Sequence, residues 1–509
     1  MESLKQIEEV VGSDNVVFDH ETLSNETENT LGLKKNVLGI VYPGNTDEVQ
    51  KIVRIANDYL IPLYPVSRGK NIGYGDKLPV SEGQLIIDLK RINRIREYNK
   101  TLGYVIVEPG VTQKQLYEHL KANNSNYWMD VTGAGLESSI IGNSLEGGFG
   151  HTPKGNRRET ISNFEVVLGN STLLRTGEFP GLGPDISGAF VQSNFGIITS
   201  AKLQLMPAPK RFESCIMTAQ NNEDIELLID KLRLLRQRNL ITNLIHVANA
   251  TRSLMTISDF PEGYGDELID CDKAREILSY KFLKVGYWNA IGGIYGTNNE
   301  VRILRKEIRK VMPDNIKIRF FSDSKINLLK SITKHWPFSD KKTKDNIRKN
   351  FNSFESVHGL MKGIPSDIPL DNIKWRVETK EQMGLIWFSP TVQAIGKEVR
   401  NVVLIAENLF KEYKFEMPVT ITLVSQERVV IVFSISFDKM QNEQKQRALQ
   451  LYAALQKNLS DIGIFPYRSG ILSMDNISYL DEGKNETFIQ LKKVFDPNNI
   501  IAPGRYGIK

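Results

Sequence analysis

The chain has 509 residues, more than one compact domain usually holds, and this length predicts two to four structural units. Its 65 basic and 60 acidic residues are interleaved along the sequence, so the net charge of +5 gives no indication of a nucleic-acid-binding surface. The two cysteines, Cys215 and Cys271, are too few for a disulfide framework and form no CxxC metal or redox motif.

Residues 36–210 alternate helix and strand signals at short spacing. The acidic turn after Thr46 and the apolar stripe behind it predict a helix that buries Val49, Ile52, Val53 and Ala56. Thr112 and Gln115 form a capping-box pattern, which predicts the start of a second helix. Strands are predicted at "LIIDL" (85–89) and "YVIVEPG" (104–110), and a hairpin at "FEVVLGNSTLLRT" (164–176), where Gly-Asn suits a tight turn.

The sequence pattern changes between residues 211 and 460. Longer helical patterns occur there, such as "NEVRILRKEIRKVM" and "GKEVRNVVLIAENLFKEY", with the strand pattern "RVVIVFSISF" between other elements. The segment 461–509 returns to turns rich in glycine and proline. The sequence therefore predicts an α+β fold with a second domain in its middle part.

The familiar nucleotide and catalytic motifs are absent from the sequence. It contains no G-x-G-x-x-G, no Walker loop, no HExxH and no G-x-S-x-G. The histidines show no metal-ligand spacing, so we predict no metal site and interpret each of them as a surface or hydrogen-bonded residue; they are His20, His119, His151, His246, His335 and His358.

Three glycine-rich loops stand out instead. They are "PVSRGKNIGYG" (65–75), "TGAGLESSIIGNSLEGGFGHTPKG" (132–155) and "GPDISGAFVQSNFGIIT", which ends at Thr199. The first loop offers a run of backbone N–H groups beside Arg68 and Lys70, a combination that can hold a pyrophosphate. Each loop alone is explained equally well by a plain turn, but three such loops and a fourth near the C-terminus indicate a large cofactor that carries phosphate.

These loops resemble those of the vanillyl-alcohol oxidase and p-cresol methylhydroxylase family of flavoenzymes. The similar stretches follow the family's order from about residue 40 onward: "YPVSRGKNIGYG", "YVIVEPGVTQKQLYEHL", "SIIGNSLEGGFGHTPKG", "FEVVLGNSTLLRTG", "GPDISGAFVQSNFGIIT", "WNAIGGIYGT", "IWFSP", "PYRSG" and "DPNNIIAPGRYGI". The resemblance implies a two-domain flavoprotein with a split FAD-binding domain and an α/β substrate-cap domain. Its implied bounds are an N-terminal arm (1–35), the FAD-binding domain (36–210), the cap (211–460) and a returning C-terminal segment (461–509).

The resemblance also implies which residues bind FAD. They are Pro65, Ser67, Arg68, Gly69, Lys70, Asn71, Ile72, Gly73, Thr132, Gly133, Ser138, Gly142, Asn143, Gly196, Ile197, Ile198 and Arg505. Many members of the family attach FAD covalently through a histidine or tyrosine of the cap. The corresponding stretch here, "ITLVSQERVVIVFSISF" (421–437), has no histidine, tyrosine or cysteine, so we expect a non-covalent FAD unless a histidine elsewhere serves.

The segment "FPYRSG" (465–470) places a phenol beside a guanidinium, and by itself it could be a surface turn. In the 4-alkylphenol-oxidising branch of the family, such a pair and a tyrosine of the "GYG" loop hold the phenolate oxygen of the substrate, which implies that role for Tyr467, Arg468 and Tyr74. A fixed cation and two hydroxyl donors favour ionisation of a phenol. Glu146 matches an acidic residue near the flavin N5, where it would assist deprotonation or water attack.

Two positions near this acid depart from the family's pattern. Gly147 follows Glu146 where arginine is usual, and His151 stands where tyrosine is common, so the pocket near the flavin is expected to differ in shape. The alternative to Glu146 as a catalytic group is an ordinary glutamate on a helix surface.

The resemblance implies an enzyme that oxidises a para-substituted phenol at the benzylic carbon, by hydride transfer to FAD and through a quinone methide. O2 or another acceptor would reoxidise the flavin, and the protein would form a homo-oligomer. The alternatives are an oxidase or dehydrogenase of a non-phenolic alcohol or 2-hydroxy acid, and a non-catalytic descendant that binds flavin. A polar N-terminus and the lack of any membrane-span pattern lead us to expect a cytoplasmic protein with no membrane partner.

Overall fold

The computed structural model describes residues 2–177, 183–279, 285–334, 341–475 and 481–508. The first part of the chain contains the helices α1 (Glu2–Val11), α2 (His20–Glu26), α3 (Thr46–Tyr59), α4 (Gln113–Ala122), α5 (Ile140–Leu145) and α6 (Arg157–Thr160). Its strands are β1 (Val16–Val17), β2 (Gly39–Val41), β3 (Leu63–Val66), β4 (Leu85–Asp88), β5 (Ile95–Asn99), β6 (Tyr104–Val107), β7 (Tyr127–Trp128), β8 (Ile161–Leu168), β9 (Leu173–Arg175), β10 (Gly196–Gln204) and β11 (Met206–Pro207).

Local signals in this part of the sequence predicted its elements well. The side chain of Asn45 caps α3, whose apolar stripe Val49, Ile52, Val53 and Ala56 is buried. Thr112 caps α4 by accepting a hydrogen bond from the backbone N–H of Gln115 at 3.0 Å. Strands β8 and β9 pair antiparallel, which confirms the predicted hairpin.

Two sheets share the first hydrophobic core. In the four-stranded sheet, ordered β1-β2-β4-β3, the strands β2, β4 and β3 run parallel. The five-stranded sheet, ordered β5-β6-β10-β8-β9, is antiparallel throughout. Strand β3 leads directly into the loop 65–75, and α5 lies within the loop 132–155, so the core fixes the bases of both glycine-rich loops.

The middle part of the chain contains the helices α7 (Asp224–Gln237), α8 (Ala250–Ile257), α9 (Cys271–Ser279), α10 (Asn298–Val311), α11 (Asp323–Lys334), α12 (Lys341–Leu360), α13 (Ile368–Asp371), α14 (Gly396–Glu412) and α15 (Asn442–Ser460). Its strands are β12 (Arg211–Ala219), β13 (Ile245–Asn249), β14 (Trp288–Gly296), β15 (Lys317–Ser322), β16 (Met383–Phe388), β17 (Thr391–Gln393), β18 (Val419–Leu423) and β19 (Arg428–Asp438). They form one antiparallel sheet in the order β15-β12-β14-β13-β18-β19-β16, with β17 on β19.

The two faces of this large sheet have different environments. Residues such as Ile245, Val247 and Ile421 pack in a core with α7, α14 and α15. Because side chains alternate along a strand, the residues between them, such as His246 and Thr422, point to the opposite face. The cross-strand register aligns His246 with Ile291 on β14 and with Thr422 on β18.

The C-terminal segment returns to the first core and carries helix α16 (Glu482–Phe495). Ile501 forms a parallel bridge with Leu63, and Pro466 forms an antiparallel bridge with Pro390. The buried Lys492 ammonium pairs with Asp496 at 2.7 Å and fixes the last turns. Both helices and sheets therefore build the protein, as the α+β prediction required. No helix among the described residues has the length and apolar character of a membrane span.

Candidate active site

A cavity of about 510 Å³ lies between the glycine-rich loops and the open face of the large sheet. Most of the side chains and loops that the sequence analysis assigned to FAD line this cavity: Pro65, Ser67, Arg68, Gly69, Lys70, Asn71, Ile72, Gly133, Ser138, Gly142, Asn143, Gly196, Ile197, Ile198 and Arg505. The four residues assigned to catalysis, Tyr74, Glu146, Tyr467 and Arg468, line it as well. Segments more than 300 residues apart in sequence therefore meet in one place.

Gly73 and Thr132, also assigned to FAD, do not line the cavity. Gly73 has a φ of +75° and packs so closely on Trp387 that a Cβ at this position would lie 2.1 Å from the indole. Thr132 is buried behind its loop, where its backbone N–H donates to Gln113 Oε1 at 2.7 Å. Both residues shape the loops from behind.

Tyr74, Tyr467 and Arg468 are assembled around Ser389, at the end of β16. The Tyr74 hydroxyl lies 2.9 Å from Ser389 Oγ, and the backbone N–H of Tyr467 donates to the carbonyl of the same serine at 3.0 Å. The Arg468 guanidinium lies over the Tyr74 ring, 4.2 Å from its centroid, and donates to Asn71 Oδ1. Burial raises the pKa of Tyr74 well above that of a free phenol, so Tyr74 keeps its proton and can donate it to a ligand.

The turn that carries this pair is fixed by close packing. A Cβ on Gly470 would lie 2.8 Å from the Tyr74 carbonyl oxygen, which itself accepts a hydrogen bond from the backbone N–H of Ile471 at 3.1 Å. The Tyr467 ring packs against Phe149 with 5.0 Å between the ring centroids. The segment is therefore part of the cavity wall, and the surface-turn alternative for it is wrong.

Glu146 is buried beside two arginines. Arg505 and the Tyr506 hydroxyl donate to its carboxylate oxygens, and Arg468 Nε lies 3.6 Å from Oε2. Burial by itself would raise the pKa of Glu146, but Arg505 and Arg468 outweigh it and hold the pKa below its usual range. The carboxylate is thus ionised at neutral pH and is a poor proton acceptor there. It is not the exposed glutamate that formed the alternative interpretation.

This group carries an unbalanced positive charge. Burial opposes the charge of Arg468, but Glu146 and the neighbouring tyrosines hold its pKa above the ordinary value, and the same holds for Arg505. Two guanidinium groups face one carboxylate, which leaves a net charge of +1. The Nε atoms of both arginines are buried without a hydrogen-bond partner among the described residues. The site is therefore complementary to a bound anion.

His151 and His246 contradict the interpretation of the histidines as surface or satisfied residues. Both line the cavity, with their ring centroids 4.4 Å apart. His246 Nδ1 is 3.0 Å from Thr422 Oγ1, whereas His246 Nε2 and His151 Nδ1 are buried with no partner among the described residues. Burial lowers the pKa of His151 to about 4 and that of His246 well below its usual value, so both rings are neutral at pH 7. Within the described part of the chain, no three metal-ligating side chains converge.

Sequence reasoning missed the half of the cavity that the large sheet supplies. The side chains on its open face are His246, Ala248, Asn289, Ile291, Thr420, Thr422, Val430 and Val432. Gln192 was also missed; its Nε2 donates to the backbone carbonyls of Glu146 at 3.1 Å and of Tyr467 at 2.9 Å. The alternation in "HVAN" (246–249) indicated a two-faced strand, but not which face meets the cavity.

The loop side of the cavity fits FAD. Gly142 lies so close to Ser67 that a Cβ would approach its Oγ to 3.1 Å, and a side chain at this position would point between two cavity-lining segments. Asn143 Oδ1 is buried with no partner among the described residues, and it belongs to the same loop. Arg68 and Lys70 supply positive charge where backbone N–H groups line the wall.

Comparisons with known proteins agree with this arrangement. A family model described as an FAD binding domain matches residues 37–177. The chain is 28% identical to 1'-carboxy-chondrochloren decarboxylase of Chondromyces crocatus over 100% of this chain and 97% of that protein. It is 28% identical to the flavoprotein subunit of 4-cresol dehydrogenase (hydroxylating) of Pseudomonas putida over 91% of this chain and 86% of that protein. The solved structure of 4-ethylphenol oxidase from Gulosibacter chungangensis, in complex with isoeugenol, is similar with a TM-score of 0.89 and 25% identity, over 100% and 97% of the two chains.

These comparisons confirm the resemblance of the chain to the vanillyl-alcohol oxidase and p-cresol methylhydroxylase family. The chain has the two-domain α+β flavoprotein fold of these solved structures, as the sequence predicted. The comparisons support an FAD-dependent oxidoreductase, and the similar proteins include, by their names, a dehydrogenase of 4-cresol and an oxidase of 4-ethylphenol.

Proposed function

We propose that this protein oxidises a para-substituted phenol at the benzylic carbon. The observation that carries the proposal is the buried net charge of +1 formed by Arg468, Arg505 and Glu146 next to the hydroxyl of Tyr74. A cation and a hydroxyl donor in a buried site stabilise a phenolate far more than the neutral phenol. Two of the similar proteins act, by their names, on 4-cresol and 4-ethylphenol.

The chain's own residues would bind the ring and prepare it for oxidation. Arg468, Tyr74 and Tyr467 would hold the phenolate oxygen, so that the negative charge spreads through the ring and weakens the benzylic C–H bond. FAD held by the glycine-rich loops would supply the two-electron oxidant, and the benzylic hydrogen would leave with its electron pair. The substrate is left as a p-quinone methide, to which water can add. O2 or another acceptor would then reoxidise the cofactor.

The same proposal assigns a role to each part of the chain. Residues 36–210 together with 461–509 would form the FAD-binding domain, residues 211–460 the substrate cap, and residues 1–35 an N-terminal arm. FAD would be held without a covalent bond, because the cavity-facing side chains of β18 and β19 are threonines and valines. Glu146 would act chiefly as the counter-ion of the two arginines, since its lowered pKa makes it a weak base.

A second outcome of the same oxidation is favoured by the Chondromyces crocatus relative, which is named as a decarboxylase of a 1'-carboxy compound and is similar over the whole chain. If the carbon next to the benzylic carbon bears a carboxylate, the quinone methide can release CO2. The electron pair of the broken C–C bond then forms a vinyl group, and the ring returns to a phenolate. This route needs the same two-electron oxidant, which bound FAD would supply, and no water is incorporated.

The proposal is tested by mixing the purified holoenzyme anaerobically with 4-substituted phenols and following the visible absorbance of the flavin. Bleaching by a phenol, with none by its O-methyl ether, is the expected result, because the ether cannot ionise. Product analysis then separates the two outcomes, since one yields an alcohol with oxygen from water and the other a vinylphenol and CO2. If the flavin is reduced by dithionite but by no phenol, a non-phenolic alcohol or hydroxy acid becomes the better candidate.

A further inference from the structure

One arginine in the cavity, Arg252, has no side-chain partner among the described residues. The four arginines that line the cavity in the described part of the chain are Arg68, Arg252, Arg468 and Arg505. Arg68 pairs with Glu137 at 2.7 Å, and Arg468 and Arg505 share Glu146. The Arg252 guanidinium, in the first turn of α8, forms no hydrogen bond or ion pair with any described residue. Its backbone N–H donates to Asn249 Oδ1 at 2.9 Å, and its backbone carbonyl accepts from the Thr256 hydroxyl.

Arg252 lies in an apolar part of the cavity. Val357 and Leu360 of α12 and Ile373 line the same region of the cap, and α8 packs against α12. Burial lowers the pKa of Arg252 to about 10, and no carboxylate offsets this effect, yet the group remains charged at neutral pH. Arg252 is half-buried, and an uncompensated charge in such a place is costly to the folded protein, so its position against an open cavity indicates that a ligand supplies the anion.

The place of Arg252 along the sheet gives the position of that anion. Val430 pairs with Thr391, and Thr422 and His246 follow on the next two strands, so His246 lies three strand spacings, roughly 14 Å, from Thr391. The backbone N–H of Thr391 donates to Phe465 O at 2.9 Å, close to the Tyr467–Arg468 pair. Strand β13 runs from His246 toward α8. The three steps along the strand from His246 to Asn249 add roughly 10 Å at about 3.3 Å per residue.

A ligand whose phenolate lies against Arg468 would therefore cross the open face of the sheet toward β13, and the two long arginine side chains would reach toward its two ends. Thr256, one turn further on the same face of α8, also lines the cavity, but its hydroxyl already donates to the Arg252 carbonyl at 2.8 Å. The open face of the sheet between the two ends carries Ala248 and Val432, which suit an apolar linker.

We propose that Arg252 binds a carboxylate on the para side chain of the substrate, so that the substrates are 4-hydroxyphenylalkanoic acids or their derivatives. The planar guanidinium can bind both oxygens of a carboxylate at once, which gives geometric selectivity as well as charge. This inference rests on the proposed phenol oxidation and adds the substrate class to it. Arg252 acts here as a specificity residue that positions the benzylic carbon and takes no part in the oxidation.

The test compares two substrates of similar size on the holoenzyme, 3-(4-hydroxyphenyl)propanoate and 4-propylphenol. We expect the parent protein to bind the acid at least tenfold more tightly, measured as the concentration dependence of anaerobic flavin reduction. Arg252→Met should weaken binding of the acid by about ten- to a hundredfold, the loss expected for a charge-assisted hydrogen bond, and leave 4-propylphenol unchanged within about twofold. Arg252→Lys should retain part of the preference.

Thr256→Val is the matched control, because it changes the same face of α8 without altering charge and should keep the preference for the acid. Equal effects of Arg252→Met on both substrates, or no preference in the parent protein, would overturn the inference. So would loss of FAD from Arg252→Met, which would identify the cofactor's diphosphate as the anion. If no phenol reduces the flavin of the parent protein, the proposed function and this inference are both overturned. If both phenols reduce it without preference, this inference alone is overturned.

Discussion

Replacing Arg468 by methionine should impair flavin reduction, and a second substitution, Glu146→Gln, should partly restore it. Arg468 and Arg505 face the single carboxylate of Glu146, so the parent site has a charge of +1. Arg468→Met reduces this charge to zero, and adding Glu146→Gln returns it to +1 through Arg505. If charge is what ionises the phenol, the double variant must behave more like the parent than the single variant does.

The magnitude follows from the contact that is lost. A charge-assisted hydrogen bond contributes about 1.5–3 kcal/mol, which corresponds to roughly a ten- to hundredfold change in binding. Because one pKa unit equals about 1.36 kcal/mol, the same loss should raise the pKa of the bound phenol by about 1–2 units. Glu146→Gln alone raises the site charge to +2 and should lower that pKa instead.

Stopped-flow measurement of anaerobic flavin reduction against pH checks these values. The pH at which the rate is half-maximal should rise by about 1–2 units in Arg468→Met and return most of the way in the double variant. Arg468→Lys is the control that keeps the positive charge but lacks the planar guanidinium with its paired donors. The FAD content and the thermal midpoint of each variant show whether it is still folded and loaded with cofactor. A double variant with the pH profile of Arg468→Met would show that charge balance is not the cause. If Arg468→Met reduces its flavin as fast as the parent, the phenolate hypothesis is wrong.

Three other outcomes follow from the site. Acid precipitation should release FAD into the supernatant, because the cavity-facing residues of β18 and β19 offer no nucleophile. If the flavin instead stays on the pellet of the parent protein but is released from the His246→Ala variant, it is attached at His246, the neighbour of Thr422. Burial gives His151 a pKa of about 4 in the folded protein, against about 6.5 in the unfolded chain. Between these pH values the unfolded chain binds the proton more readily, so the stability that neutral His151 contributes above pH 6.5 is lost as the pH falls toward 4, by about 2 kcal/mol at pH 5. His151→Gln should therefore flatten the fall of the thermal midpoint between pH 7 and 5, and an unchanged slope would contradict the assignment. Tyr74→Phe and Tyr467→Phe should each slow flavin reduction less than Arg468→Met, since the arginine remains; an equal or larger loss would place the main stabilisation on the hydroxyl groups.

Local sequence signals predicted the elements whose partners are close in the chain. The stripe of α3, the cap of α4 and the β8–β9 hairpin each depend on a few neighbouring residues, and all three are confirmed. The open face of the large sheet could not be found in this way. His246 pairs with Thr422, which is more than 170 residues away in sequence. The alternation of side chains along a strand shows that the sheet has two faces, but not which face the helices cover.

Contacts between distant parts of the chain also determine the charges of the site, and the sequence did not predict these contacts. The resemblance brought Glu146 and Arg505 to the cavity as separate assignments, one to catalysis and one to the cofactor, although they form a single ion pair 359 residues apart in sequence. The histidines were misinterpreted for a related reason. Spacing along the chain shows whether histidines can share a metal, but it does not show that His151 and His246 meet in a buried wall.

The ion pair also explains why a phenol-oxidising site would keep a carboxylate next to the cations that it needs. Two uncompensated arginines would repel each other and would hold a phenolate tightly as a ground state, which lowers the tendency of its electrons to move toward the benzylic carbon. Without Arg468, the remaining pair of Arg505 and Glu146 would be neutral and would leave the phenol protonated. A net charge of +1 lies between these extremes. Because Glu146 is held by Arg505 and Tyr506 as well as by Arg468, it can balance the charge without leaving its place when the substrate binds.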